Sequence, residues 1–139
     1  MPISELQRRS REVGGRFRAQ IIALVRDREE LYRRVDDRVD AMIAGGLIAE
    51  VERFRQEGLT ERDIAMQAHG YKEVLGYLIG RYDRAEAVRL LKRNTRRYVK
   101  YQLGWLRQRA DVQYVRADAP EGDVAAAVIQ LIRSSSARS

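Results

Sequence analysis

The stretch from Asp83 to Arg109 has the pattern of one long amphipathic helix, and it constrains the fold of this chain more than any other segment. At about 100° per residue, its basic and apolar side chains separate onto opposite sides. The basic side holds Arg89, Lys92, Arg93, Arg96, Arg97, Lys100 and Arg107. The apolar side holds Val88, Leu91, Tyr98, Val99, Trp105 and Leu106. We therefore predict a mainly α fold organised around one long basic helix.

The charge of this stretch is of a single sign. It contains nine Lys or Arg and two acidic residues, a balance of +7 that equals the formal net charge of all 139 residues. No acidic residue occurs between Arg89 and Lys100, whereas solvated helices usually mix both signs at four-residue spacing. The pattern favours a surface that faces a polyanion. The alternative is an arginine-rich chain whose helix faces only solvent.

Two polar side chains, Thr95 and Gln102, fall in the middle of the apolar side. If they are buried, each needs a hydrogen-bond partner or costs about 1–3 kcal/mol. One interpretation gives each a nearby backbone partner. The other exposes both in a cleft, where a base edge or a phosphate supplies the partner. The sequence leaves both interpretations open.

Two short runs rich in β-branched residues predict strands, at about residues 20–25 and 112–115. A strand needs hydrogen-bonding neighbours, so these two must pair with each other or join a sheet that is missing from this sequence. Helical patterns cover Arg28–Ala44, Leu47–Gln56, Val74–Ile79 and Gly122–Ile132, with a further short helix opened by Thr60 as N-cap. We divide the chain into an arm, residues 1–18, and a single partial domain, residues 19–139.

Several functional classes are excluded or disfavoured by what the sequence lacks. There is no cysteine, which excludes disulfides, thiol nucleophiles and thiolate metal sites. No apolar run approaches the ~20 residues that a membrane span needs, and the amino-terminal residues lack the apolar core of a secretory signal. We expect a soluble, cytoplasmic protein. The patterns GxxxxGK[ST], GxGxxG, GxSxG and HExxH are all missing, so the sequence contains no complete set of these catalytic motifs.

Two smaller clusters have both a structural and a functional interpretation. Gly70 lies at a break between helices and can supply either a permissive turn or a close backbone approach to a ligand, beside Tyr71 for stacking and Lys72 for phosphate. Arg34 and Arg38 are one helical turn apart. They can clamp a diphosphate, or they can form ion pairs within their own helix.

Three segments together resemble the carboxyl-terminal part of the bacterial tRNA dimethylallyltransferases. They are LYRRVDDRVDAMIAGGLIAEV (Leu31 to Val51), QAHGYKEVLGYLIG (Gln67 to Gly80) and NTRRYVKYQLGWLR (Asn94 to Arg107). Their order and intervals also match that family. The resemblance covers nearly the whole chain and implies that Met1 lies well inside the usual protein.

This resemblance implies an activity in which a dimethylallyl group moves from dimethylallyl diphosphate to N6 of adenosine 37, in the anticodon loop of tRNA. The implied fold is the helical carboxyl-terminal part of a P-loop-type α/β protein that uses Mg²⁺, with the magnesium ligands outside this chain. By resemblance, Arg38 is the catalytic, diphosphate-handling arginine. Also by resemblance, the tRNA-binding residues are Gln67, Ala68, His69, Gly70, Tyr71, Lys72, Thr95, Arg96, Arg97, Tyr98, Val99, Lys100, Tyr101 and Gln102.

The chain departs from the family pattern at four of the matched positions. His69 stands where an aliphatic residue is usual, Val99 replaces alanine, Tyr101 replaces arginine and Gly104 replaces threonine. We expect the chain to be inactive without an amino-terminal P-loop half, which can be a separate partner. The alternatives are a stand-alone helical RNA-binding module and a truncated fragment without a function.

Overall fold

The computed structural model describes residues 3–5, 8 and 19–136, except for the side chains of residues 135 and 136. In chain order the elements are β1 (Ile21–Val25), α1 (Arg28–Ala44), α2 (Leu47–Gln56), a short 3-10 helix (Ile64–Gln67), α3 (Tyr71–Leu78), α4 (Arg84–Arg107), β2 (Val112–Arg116) and α5 (Glu121–Ser136). The prediction of a mainly α fold with two short strands is confirmed. Of the predicted arm, only residues 3–5 and 8 are described, and they are helical.

The described residues group into two compact units, one built on the two strands and one on the helices from Arg26 to Gln108. In the first unit, β1 and β2 pair with each other in parallel, with Ile21 opposite Val112. The backbone N–H of Ala117 extends the pairing by donating to the carbonyl of Val25 over 2.8 Å. The sequence had left open whether the strands pair with each other, and they do.

Each face of this small sheet combines a buried and an exposed side chain. The parallel register places Ala23 opposite Tyr114 and Leu24 opposite Val115, so the two members of each pair share a face. Ala23 and Val115 are buried, and α5 packs beside β2. By contrast, Leu24 and Tyr114 are 57% and 46% exposed. Parallel sheets are normally covered on both faces, whereas this one exposes a large apolar side chain on each face.

The second unit has its own hydrophobic core, made by side chains from all four of its α-helices and from the 3-10 helix. The core consists of Val39, Leu47, Val51, Met66, Val74, Leu75 and Leu91. Gly46 joins α1 to α2 with a φ of 99°, a left-handed conformation that glycine adopts without strain. Helix α4 begins after Asp83, whose carboxylate accepts a hydrogen bond from the backbone N–H of Glu86 at 2.8 Å.

The bounds predicted for α1 and α2 are confirmed, whereas two predicted helix starts were wrong. Thr60 is not an N-cap. Its backbone N–H and its hydroxyl both donate to the carboxylate of Asp63, and the short helix that follows is of the 3-10 type. Helix α3 begins at Tyr71, earlier than the predicted Val74, because a buried carboxylate holds its first turn.

Candidate nucleic-acid interface

A single histidine joins the two segments that the sequence singled out. The ring nitrogen Nε2 of His69 lies 2.7 Å from Oγ1 of Thr95, and the hydroxyl of Thr95 in turn donates to the carbonyl of Leu91 at 2.7 Å. Since the one hydroxyl hydrogen of Thr95 is used in that bond, Nε2 of His69 must be the donor in the first. The His69 ring also stacks on Tyr98, with 6.0 Å between centroids. Residues 67–72 and 95–102 therefore form one surface.

The pairing of Thr95 decides one of the open alternatives. Its hydroxyl hydrogen-bonds to a carbonyl of its own helix and to His69, so it needs no ligand as a hydrogen-bond partner. Gln102 is exposed, so it needs no buried partner. The predicted apolar side of α4 is buried at Ala87 and Leu91 and half-buried at Val99 and Leu106, whereas Tyr98 and Trp105 are about half exposed.

Glu73 holds the start of α3 against α4. This carboxylate is 3% exposed. Its Oε2 accepts from the backbone N–H of Gly70 at 3.0 Å, and its Oε1 accepts from the amide of Asn94 at 2.8 Å. Neither Glu73 nor Asn94 was predicted from the sequence as a site residue. A Glu at the third position of a helix is a known capping signal, but the bond to Asn94 depends on packing.

The residues of the Gly70 turn face different surroundings. Gly70 is buried, and a Cβ there would lie 3.7–3.8 Å from side chains of Met42, Leu47 and Leu91, so the glycine serves the turn and the packing. Tyr71 points toward α2, where its hydroxyl donates to Oε1 of Glu50 at 2.8 Å. That hydrogen bond, with some burial, raises the pKa of Tyr71.

Other residues of this turn are open to solvent. Gln67, Ala68, His69 and Lys72 are exposed. The Gln67 side chain donates to the carbonyl of Glu61 at 3.2 Å, and Lys72 lies 3.7 Å from the Glu73 carboxylate. The solvent-exposed part of residues 67–72 thus consists of the end of the 3-10 helix, His69 and Lys72, while Tyr71 packs inward.

Part of the basic side of α4 is neutralised by α1. Arg96 makes a two-pronged ion pair with Asp36, including an Nε to Oδ1 distance of 2.8 Å. One turn earlier, Lys92 lies 2.7 Å from Asp40. These pairs tie α1 to α4. They also leave Arg96 already paired with a carboxylate in this structure.

The cations nearer the carboxyl end of α4 are different. Within the part of the chain that the structure describes, neither Arg97 nor Lys100 has a carboxylate partner. Both are exposed and lie beside exposed Tyr98 and Tyr101, which are 55% and 75% exposed. An array of unpaired cations and open aromatic rings is typical of surfaces that bind single-stranded nucleic acid.

A depression of about 460 Å³ continues this surface along α4. Its lining consists of Arg97, Lys100, Tyr101, Gly104, Trp105 and Gln108. Neither Trp105 nor Gln108 was predicted from the sequence as a site residue, and Gly104 was predicted only as a departure from the family pattern. Nothing lies within 4 Å of where a Cβ of Gly104 would stand, so a larger side chain there would extend into this space.

The two arginines of the possible clamp on α1 differ in their partners. Arg34 donates to Glu30 at 2.7 Å, and together with Arg33 it holds the pKa of Glu30 below its usual value. Arg38 is exposed and has no carboxylate partner among the described residues. It lies one turn before Met42, whose methyl group packs near Gly70. Arg38 is therefore a single open cation on α1.

No group of three His, Asp or Glu side chains in residues 19–134 and the described arm positions is placed to hold a metal ion. These described side chains therefore do not fit a magnesium site. In the same part of the chain, no helix is both long enough and apolar enough to span a membrane.

Comparison with known proteins now identifies the family. The family model described as IPP transferase matches residues 1–109. This chain belongs to the IPP transferase family. The family resemblance of its three motifs is thereby confirmed.

Individual members of the IPP transferase family match over most of this chain but over less than half of their own length. The tRNA dimethylallyltransferase of Halothermothrix orenii is 52% identical over 101 residues, which are 73% of this chain and 31% of that protein. That of Acetivibrio thermocellus is 43% identical over 122 residues, 88% of this chain and 39% of that protein. This chain thus spans about a third of the length of these relatives.

Solved structures agree with this assignment. The tRNA isopentenylpyrophosphate transferase of Bacillus halodurans superposes with a TM-score of 0.82 at 35% identity, over 87% of this chain and 40% of that one. The tRNA isopentenylpyrophosphate transferase of Staphylococcus epidermidis gives 0.80 at 27% identity, over 97% and 43%. The helical unit and the paired strands therefore reproduce a portion of the family fold.

Proposed function

We propose that this chain is the carboxyl-terminal part of a tRNA dimethylallyltransferase. In the proposed reaction, N6 of adenosine 37 beside the anticodon forms a bond to the dimethylallyl carbon. The carbon–oxygen bond to the diphosphate breaks, and the amine loses a proton. This chain would hold the anticodon loop and place one cation toward the diphosphate. The names of the relatives support the reaction class.

The observation that carries the proposal is that the two segments predicted to contact tRNA, residues 67–72 and 95–102, contact each other. His69 bridges residues 67–72 to residues 95–102 through Thr95 and Tyr98. Arg97 and Lys100, which have no carboxylate partner among the described residues, extend that surface. A stacked base must leave its stack before its amine can react, so the enzyme has to hold both the displaced base and the strand around it. A surface with open rings and free cations suits that task.

Arg38 is the proposed cation for the leaving diphosphate. Developing negative charge on a leaving group is stabilised by cations that are not already neutralised. Its neighbour Arg34 is bound to Glu30, whereas Arg38 is exposed and unpaired among the described residues. Of the two arginines, Arg38 is therefore the one that can meet a diphosphate.

The reaction needs a phosphate-binding core in addition to the residues of this sequence. No glycine-rich phosphate loop occurs in these 139 residues. The two-stranded parallel sheet exposes Leu24 and Tyr114, and such a small sheet is marginal without further strands. We propose that an amino-terminal P-loop half, on the same or a separate chain, adds to this sheet and supplies the core and its magnesium site.

A stand-alone RNA-binding module is the second candidate function. The observation in its favour is that all seven residues of the hydrophobic core lie between Val39 and Leu91, within the helical unit. A unit with its own core can present the same basic surface without any transfer chemistry. Both candidate functions predict tRNA binding, and only the transfer assay below distinguishes them.

Binding of tRNA is tested by removing the two free cations. The double variant Arg97→Ala/Lys100→Ala should weaken tRNA binding and lower its salt dependence by about two phosphate contacts. The matched control is Arg53→Ala/Arg55→Ala on α2, which removes the same charge from side chains already paired with Glu57 and Glu52. The salt dependence of the control should stay near that of the wild type. Equal behaviour of the two double variants would contradict the proposed surface.

The transfer step is tested with tRNA, dimethylallyl diphosphate and magnesium, with the chain alone and with an amino-terminal P-loop half added. We expect transfer only in the second case. Arg38→Ala should then abolish transfer while tRNA binding is unchanged, and Arg34→Ala should retain most of the activity. Transfer by the chain alone would contradict the need for a second half. Binding without transfer in both cases would favour the stand-alone module.

A further inference from the structure

The hollow at Gly104 is a feature of this chain that the proposed function does not use. Glycine is unusual inside a helix, because it is about 1 kcal/mol less favourable there than alanine. At Gly104 no neighbour forces the small residue, since nothing lies within 4 Å of an added Cβ. Gly104 instead lines a space of about 460 Å³ along α4. That size lies in the range of small-molecule sites, roughly 300–1,000 Å³.

Two aromatic side chains border this space. Tyr101 is 75% exposed and Trp105 is 50% exposed, and they lie one turn apart on the same side of α4 as Gly104. Tyr101 in particular offers a flat apolar face to solvent. A nucleobase stacks on such a face in a manner that tolerates any base identity.

The rim of the space is polar and cationic. Arg97 and Lys100 lie at one end, and neither has a carboxylate partner among the described residues. Gln108 lies at the other end, and its amide can both donate and accept a hydrogen bond. A ligand that matches this lining has a flat aromatic face, polar edges and an adjacent negative charge. A nucleotide unit of single-stranded RNA has all three.

We propose that the hollow at Gly104 is a subsite for one unpaired nucleotide of bound RNA. Its base stacks on Tyr101 and Trp105, and its phosphate meets Arg97 and Lys100. The subsite adjoins the surface built from residues 95–102 and rests on the proposed function, because it requires that the chain binds RNA. It would hold a base other than the reacting adenosine and so fix the register of the strand.

Trp105 is the only tryptophan of the chain, so its fluorescence reports directly on this subsite. The probes are a short unstructured oligoadenylate and a sugar-phosphate oligomer of the same length without bases. We expect oligoadenylate to quench Trp105 emission and the abasic oligomer to leave it nearly unchanged, since only a base can stack on the ring.

The variant Gly104→Leu fills the hollow with a good helix former, so the helix should be at least as stable as in the wild type. Oligoadenylate binding should weaken about tenfold, as expected for the loss of one base stack. The control Gly122→Leu places the same side chain on α5, where an added Cβ also meets nothing within 4 Å. Its affinity should equal that of the wild type. Tyr101→Leu should also weaken binding, because it keeps bulk but removes the ring.

Three results would overturn the subsite. The first is unchanged binding by Gly104→Leu, and the second is equal quenching by the abasic oligomer. The third is a change of Trp105 emission with protein concentration alone, which would identify this face as a contact between copies of the chain. If Arg97→Ala/Lys100→Ala still weakens tRNA binding in any of these cases, only the subsite is wrong. If the wild type binds no tRNA, the proposed function fails as well.

Discussion

The buried carboxylate of Glu73 offers a sharp test of how the interface is held together. Glu73→Gln keeps the shape of the side chain and removes its charge. The carboxylate accepts from Gly70 and from Asn94, one bond to each oxygen. The glutamine amide retains one oxygen as an acceptor, but its NH₂ group can only donate. One of the two donors is therefore left facing another donor in a buried place.

The size of the effect follows from those two bonds. A hydrogen bond to a charged group contributes about 1.5–3 kcal/mol, and an unsatisfied buried donor costs a similar amount. We expect Glu73→Gln to lower the free energy of unfolding by about 2 kcal/mol. Glu73→Ala loses both bonds and should lower it by about 4 kcal/mol. Because Glu73 is only 3% exposed, solvent provides little compensation.

Urea unfolding followed by far-ultraviolet circular dichroism measures this difference. The control is Glu57→Gln, which makes the same chemical change at a carboxylate that is 54% exposed and 3.7 Å from Arg53. The control should change stability by less than about 0.5 kcal/mol. A double-mutant cycle between Glu73→Gln and Asn94→Ala should show coupling, since the two side chains share a bond. A Glu73→Gln protein as stable as the control would refute the reasoning.

Two further predictions concern stability. Gly76→Ala places a Cβ 2.2 Å from the hydroxyl of Tyr82, which donates to the Glu73 carbonyl. The substitution should lower the free energy of unfolding, measured in urea, by about 1–3 kcal/mol. This loss should disappear in a Tyr82→Ala background. Five of the described carboxylates have lowered pKa values: Glu30, Glu52, Asp63, Glu86 and Asp111. The chief cause is hydrogen bonding from Thr60 at Asp63 and hydrogen bonding from arginines at the other four. A lowered pKa in the folded state adds stability that is fully present above the ordinary pKa, about 4, and is lost as pH falls through the lowered value. The urea midpoint should therefore fall below about pH 4, less steeply at high salt, and a midpoint that stays constant or rises on acidification would contradict this.

Local signals in the sequence predicted much of the fold. The bounds of α1 and α2 were predicted correctly, because apolar residues recur at three- and four-residue spacing and glycines separate the helices. The start of α4 after Asp83 followed from the same kind of signal. The start of α3 was missed. The turn before it depends on Glu73, whose second partner, Asn94, lies 21 residues away along the chain.

The candidate interface was less predictable, because its electrostatics depend on pairs that are distant in sequence. Arg96 and Arg97 are equally basic in the sequence. Asp36, 60 residues away, neutralises the first, while no described carboxylate neutralises the second. The role of Thr95 was undecided for the same reason, since its partner His69 lies 26 residues away. The site roles of Arg38 and of the tRNA-facing residues stay predictions for the experiments above.

The sequence by itself determined the mainly helical class, the long basic helix and the family, because periodicity, capping and motif order lie within neighbouring residues. Only the tertiary structure decided which described cations have no carboxylate partner, that β1 and β2 pair with each other, and that Gly104 lines a depression beside Tyr101. The physical reason is that charge neutralisation, strand pairing and surface shape depend on which distant groups approach within a few ångströms. Helical periodicity carries no information about that approach.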